Sequence, residues 1–211
     1  MDLSLYAREG EREFVELTRS FVRKSVQPLF GDNAPDGDLG MVPSILDTAF
    51  EVGLAASPHS GMPGFEYGIW GTSADNPEGV RLSAILLSVV AEACPGIAMN
   101  LHVQGLASRI ITSSKGSFPE PPVRVAAALQ EGHTLPGFRA VLGQGRGPDD
   151  GIGTRALPTE KGWAITGTKS FVYSMEKADA FLVFCRIEGR SGKEDTGCLL
   201  VPADATGLKL Q

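Results

Sequence analysis

Apolar residues in the first half of the chain recur at helical spacing, and in the second half they shorten to strand-like runs. From residue 11 to about 27, Phe14, Leu17, Phe21, Val22 and Val26 fall on one face of a helix. Glu9, Glu11 and Glu13 gather at its start, where the helix dipole favours negative charge, and Pro28 closes it. The Asp-, Gly- and Pro-rich run Gly31 to Gly40 reads as a loop. Pro43 then opens a second helix through Ile45, Leu46, Ala49 and Phe50 to a stop at Gly53. Residues 57 to 79 hold Pro58, Pro63 and Pro77 with five glycines, which predicts a long loop of the kind that often carries function. A third helix is expected from Pro77 through Leu82, Ile85, Leu86, Val89 and Val90 to Ala93, and a fourth from about Ile97 to Ser114. Both are apolar over much of their circumference, as helices buried in a bundle are.

After the cluster Pro119, Pro121 and Pro122 the period changes. Short β-compatible runs appear at Val123–Leu129, Trp163–Ile165, Ser170–Tyr173, Ala180–Ile187 and Cys198–Val201, separated by turn residues. The pattern predicts an α+β chain: an N-terminal all-α helical bundle over residues 1–120, then an antiparallel β-barrel-like domain over residues 121–211.

Composition narrows the functional classes. With 42% hydrophobic and 21% charged residues the chain suits an ordinary globular fold. A net charge of −6 supplies no basic field for nucleic acid. The cysteines Cys94, Cys185 and Cys198 show no C-x-x-C spacing, so reduced thiols are expected. The N-terminus is acidic, unlike a signal peptide, and no apolar run reaches the roughly 18 residues of a spanning helix, so a cytoplasmic protein without a membrane span is expected.

His59, His102 and His133 lie far apart in sequence, which predicts no metal site. No G-x-S-x-G elbow supports a nucleophile. The glycines of Gly143–Gly151 contain no G-x-G-x-x-G fingerprint, and the Asp149-Asp150 pair beside Pro148 and Gly151 reads as solvated turn residues.

The order of pieces carries a family resemblance. Leu46 to Leu54 followed by Pro58 and Gly64, and then the helix holding Glu92, are similar to the helices and proline-glycine loop of the acyl-CoA dehydrogenase N-terminal domain. Ala128-Leu129-Gln130-Glu131 resembles that family's leucine-threonine-glutamate strand end. Gly167-Thr168-Lys169-Ser170-Phe171-Val172-Tyr173 resembles its glycine-x-lysine-x-tryptophan-isoleucine-threonine strand, with Ala178-Asp179 and Val201-Pro202 following at suitable intervals. The resemblance covers essentially the whole chain.

That resemblance implies FAD as cofactor and an acyl-CoA thioester as substrate. The cofactor-binding residues it implies are Leu129, Gln130, Glu131, Phe171, Val172 and Tyr173. Gln130 stands where the family has a flavin-contacting threonine, and its amide retains a donor. Phe171 replaces the tryptophan that packs on the ring, and Tyr173 replaces a threonine. The family's glycine-serine-aspartate turn has no clear match in Gly132–Phe138. The implied reaction is α,β-desaturation, in which a carboxylate takes the α-proton and the β-hydrogen leaves as hydride to the flavin. The family's base comes from a C-terminal helical bundle, and no residue here aligns with it, so no catalytic residue is assigned. The β-domain is expected to be truncated and the isolated chain inactive, completed by further sequence or by a partner in a homo-oligomer or hetero-oligomer with another acyl-CoA dehydrogenase-like subunit. Two other functions are compatible with the same residues: a non-catalytic thioester-binding module that has lost flavin, and a flavin-dependent monooxygenase of the same fold.

Overall fold

The computed structural model describes residues 8–30, 42–55, 77–113, 124–128, 152–172, 178–190 and 195–211. The chain divides into two compact units, Met1–Val123 and Arg124–Gln211.

The first unit is helical. Its elements are α1 (Arg12–Phe21), α2 (Val42–Glu51), α3 (Pro77–Ala93) and α4 (Pro95–Ser113). A tight turn, Glu9–Glu11, leads into α1, and the helix then widens over Val22–Val26 and tightens over Gln27–Phe30 around Pro28. The predicted apolar positions form one core: Phe14, Phe21, Val22 and Val26 meet Ile45, Leu46, Ala49 and Phe50 of α2 and Leu86 and Val90 of α3, and Leu101 of α4 joins them. The end of α2 follows from Gly53, whose φ of 75° continues the chain in the left-handed region. The Gly53 amide donates to Phe50 O at 3.1 Å and the Leu54 amide to Ala49 O at 2.8 Å, which returns the fully buried Leu54 to the core. Helices α3 and α4 meet at Cys94 alone. Pro95 has no N–H to continue α3 but suits the first position of a new helix.

Glu11 departs from the simple reading of an acidic helix start. Its carboxylate is buried and accepts two hydrogen bonds from Arg81 of α3, Nε to Oε1 at 2.9 Å and Nη2 to Oε2 at 2.9 Å. The Arg8 amide adds a third at 2.8 Å. The hydrogen bonds from Arg81 come first among the causes that hold the Glu11 carboxyl at about 2.

The second unit is a five-stranded sheet of β1 (Val125–Ala128), β2 (Arg155–Thr159), β3 (Gly162–Thr166), β4 (Ala180–Ile187) and β5 (Thr196–Pro202). The α+β class holds, but the sheet is mixed and, among the described residues, open; it is neither wholly antiparallel nor a closed barrel. The reason lies in β4. One edge of β4 pairs antiparallel with β5 along its length, while the other edge is shared by two parallel neighbours. Val125–Ala128 pair with Ala180–Val183, and Arg155 and Ala156 pair with Arg186 and Ile187. Strand periodicity reports a buried face and carries no information on direction. Strand β2 was not expected from the sequence. Its Pro158 is tolerated because β2 leaves β4 after Ala156 and continues only as a hairpin with β3.

Phe181, Val183, Cys185 and Ile187 alternate onto one face of β4. Phe181 and Val183 pack with Ala126, Ala128 and Val201; Cys185 and Ile187 pack with Ala156, Ile165 and Leu199. Among the described residues no helix is long and apolar enough to cross a membrane.

Candidate functional site

The candidate site is built on the end of β1 and the segment after β3. Ala128, the last residue of β1, and Val172 belong to the same apolar cluster with Phe181, Val183 and Val201. Two motifs more than forty residues apart in sequence are thereby anchored on one patch of sheet. The pairing of β1 with the start of β4 sets one anchor. Asp179 secures that pairing: its Oδ2 accepts the Arg124 amide at 2.8 Å, its own amide donates to Arg124 O at 2.9 Å, and its carbonyl accepts the Ala203 amide at 3.0 Å. The aspartate of the Ala178-Asp179 pair thus ties the start of β4 to the start of β1 on one side and the end of β5 on the other.

The other anchor is Gly167. Its φ is 153°, and a Cβ placed there would lie 2.6 Å from the Thr154 Cα and 2.5 Å from its Oγ1. Only glycine fits so close to another backbone. Thr154 is itself buried, and its carbonyl accepts the Arg186 amide at 2.8 Å, so the strand ladder holds it.

Between the anchors stands Phe171, with φ at 52°. The sequence reading placed residues 170–173 in a strand; the described part, Ser170–Val172, is not one, because a left-handed residue cannot continue the pleat. Val172 is half-buried, whereas the Phe171 side chain is 61% exposed. Of the six predicted cofactor-binding residues, Phe171 and Val172 are described, and Leu129, Gln130, Glu131 and Tyr173 lie outside the described residues.

The remaining chemistry of this unit is quiet. Burial pushes the Cys198 thiol up to about 11, which keeps it protonated and unreactive near neutrality. None of Cys94, Cys185 and Cys198 forms a disulfide. Cys198 pairs with Phe184, one residue before Cys185, so the two strand cysteines face opposite sides of the sheet. Among the described residues no group of three His, Cys, Asp or Glu side chains could hold a metal ion.

Sequence reasoning missed the roles of Gly167, Thr154 and Asp179. A glycine inside a strand-like run is itself a signal of close backbone approach, so Gly167 was within reach of the sequence. Thr154 as its neighbour was not.

No protein-family model matches the sequence. The chain is 27% identical over 204 residues to the cyclohexane-1-carbonyl-CoA dehydrogenase of Syntrophus aciditrophicus (strain SB), covering 96% of this chain and 49% of that protein. The crystal structure of glutaryl-CoA dehydrogenase from Mycobacterium smegmatis superimposes with a TM-score of 0.63 at 20% identity, over 97% of this chain and 48% of that one. A Mycobacterium smegmatis glutaryl-CoA dehydrogenase in complex with FADH2 gives a TM-score of 0.58 at 18% identity, over 98% and 48%. The nitroalkane oxidase of Podospora anserina gives 0.60 at 17% identity, over 93% and 49%. The chain spans about half the length of the relatives it matches. Sequence likeness and fold together bear out the resemblance to the helical and middle-sheet portion of the acyl-CoA dehydrogenase family.

Proposed function

We propose that this chain is the helical and middle-sheet portion of a flavoprotein that desaturates an acyl-CoA thioester at its α and β carbons. The observation that carries the reading is the convergence of β1 and the Gly167–Val172 segment on one cluster, with the Phe171 ring left exposed beside it. An exposed aromatic face on a fixed backbone suits a planar ring system.

FAD, when bound, supplies the acceptor for the hydride that leaves the β-carbon. The chain's own residues bind and orient. Phe171 offers its ring face to the isoalloxazine, and Val172 fixes the segment that carries it. Leu129, Gln130, Glu131 and Tyr173 are the further residues assigned to the cofactor, with the Gln130 amide and the Tyr173 hydroxyl as its hydrogen-bond donors. The carboxylate that removes the α-proton would come from outside these residues, through further sequence or a partner subunit in a homo-oligomer or hetero-oligomer.

The test is spectroscopic. The 211-residue chain, alone and with a C-terminal helical portion of an acyl-CoA dehydrogenase supplied, is expected to bind FAD with the absorbance of an oxidised flavoprotein; the completed protein is expected to bleach on addition of an acyl-CoA. A colourless preparation that takes up no FAD in either form defeats the reading. A second reading, a subunit that binds thioester without flavin, is favoured by Gln130 and Tyr173 in place of threonines. Calorimetry showing acyl-CoA binding with no FAD binding would select it. The likeness to a nitroalkane oxidase bears on the reaction rather than the cofactor, and oxygen consumption without desaturated product would point to flavin chemistry of the oxidase or monooxygenase kind.

A further inference from the structure

Four strands of the sheet bring one residue each into a single row. Arg186 of β4 pairs with Arg155 of β2 on one edge and with Thr196 of β5 on the other, and Arg155 pairs in turn with Thr166 of β3. Residues paired in register stand on the same face of a sheet, so Thr196, Arg186, Arg155 and Thr166 line up across it. Every side chain in the row can donate hydrogen bonds, and two are permanent cations. Like charges directly opposite one another destabilise a sheet, yet this chain of net charge −6 places no carboxylate in the row. Asp195 answers only one of the two: its Oδ2 lies 4.0 Å from Arg186 Nε, whereas Arg155 is exposed and makes no ion pair among the described residues. The next pair inward on that face is Phe184 with Cys198. Burial raises the Cys198 thiol and the Lys169 ammonium acts against it, which brings a third cation to the same region. Further along the face Ala180 and Leu182 are buried, so the row is where the face opens.

We propose that Thr196, Arg186, Arg155 and Thr166 form a phosphate-binding row, suited to the phosphates of a nucleotide-bearing ligand, with Arg155 as the residue that grips them. A guanidinium presents a planar fork that matches two phosphate oxygens, and the threonine hydroxyls add donors on either side. The acidic remainder of the chain gives no attractive field at long range, so the row selects by local geometry. That the phosphate belongs to a coenzyme A thioester or to FAD rests on the function proposed above; the row, which stands on the strand pairing, does not.

The test is calorimetry on the 211-residue chain, with inorganic pyrophosphate as the first probe and CoA, 3′-dephospho-CoA and FAD after it. Pyrophosphate is expected to bind, and to bind more weakly as salt rises. Arg155→Gln is expected to weaken it by about tenfold, the loss of one charge-assisted pair. Arg155→Lys keeps the charge and loses the fork, and a loss of about threefold is expected. Lys161→Gln removes an exposed cation at the β2–β3 turn, outside the row, and is expected to leave the affinity unchanged. Among the nucleotides, the one that Arg155→Gln weakens by the same factor is the one the row holds. A loss confined to CoA assigns its 3′-phosphate, a loss shared by CoA and 3′-dephospho-CoA assigns their pyrophosphate, and a loss for FAD assigns the flavin nucleotide. A wild-type chain that binds no pyrophosphate overturns the row, as does pyrophosphate affinity that survives Arg155→Gln or falls as far in Lys161→Gln. A chain that binds CoA through Arg155 yet shows no flavin absorbance defeats the flavin reading instead and leaves the row standing.

Discussion

The two units use the same apolar residue types to different ends. In the helical unit Phe30, Val80 and Met99 are exposed but most large side chains turn inward, and Leu54, Leu86, Leu101, Val15, Val26 and Val90 are fully buried. In the sheet unit β4 is covered on both faces, with Ala180 and Leu182 buried opposite Phe181, Val183, Cys185 and Ile187, while Leu157, Trp163 and Phe171 stand exposed. Burial explains the first group completely. It does not explain the exposed three, of which only Phe171 adds a left-handed backbone. Exposure alone is common on protein surfaces, so the combination rather than the exposure separates Phe171 from the hairpin residues.

Each unit is most sensitive where its own packing is tightest. Leu101→Ala empties a fully buried site in the helical core and is expected to destabilise that unit by about 3–4 kcal/mol, measured by denaturant unfolding. A cost under about 1 kcal/mol would mean that the helices are not held by one packed core.

Next in size is Gly167→Ala, which places a methyl group against the Thr154 backbone. A loss of about 2 kcal/mol or more is expected for the sheet unit, followed by hydrogen exchange of the β2 and β4 amides. An unchanged exchange pattern would show that the contact is easily relaxed.

Glu11→Gln removes the charge that Arg81 grips and is expected to cost about 2 kcal/mol. The same pair predicts a pH effect confined to the helical unit. The carboxyl sits at about 2 in the fold against an ordinary 4.5, so its stabilisation is complete above 4.5 and is lost as the pH falls towards 2. Acid titration followed by helical circular dichroism should show this loss in the wild type and much less of it in Arg81→Gln. An identical acid profile in the two proteins would remove the pair from the account of stability.

The smallest effect belongs to Trp163→Ser. Its side chain is 43% exposed on the β2–β3 hairpin, and a change within about 0.5 kcal/mol is expected in the same unfolding measurement. A much larger loss would place the hairpin inside the core and erase its difference from the helical unit.

The extent to which the sequence was legible follows the range of the interactions. Helices α1 to α4 were readable because every i to i+4 contact that defines an amphipathic face is local, and Phe14, Ile45 and Leu86 were buried as their spacing required. Strand β2 escaped because Pro158 argues against a strand until its pairing is known. The direction of β1 and β2 escaped because alternation is the same in parallel and antiparallel pairs. Glu11 read as a helix-start acid; its partner Arg81 is seventy residues away, and nothing local announces it.

The candidate site divides in the same way. The residue pattern alone gives an α+β chain, the residues that resemble those of acyl-CoA dehydrogenases, and Phe171 as the aromatic candidate. The fold adds that Ala128 and Val172 share one cluster, that Gly167 touches Thr154, and that Phe171 has a left-handed backbone. Those three facts depend on contacts between segments far apart in the chain. Residue identity sets what each segment can tolerate, and only the folded sheet sets which segments meet.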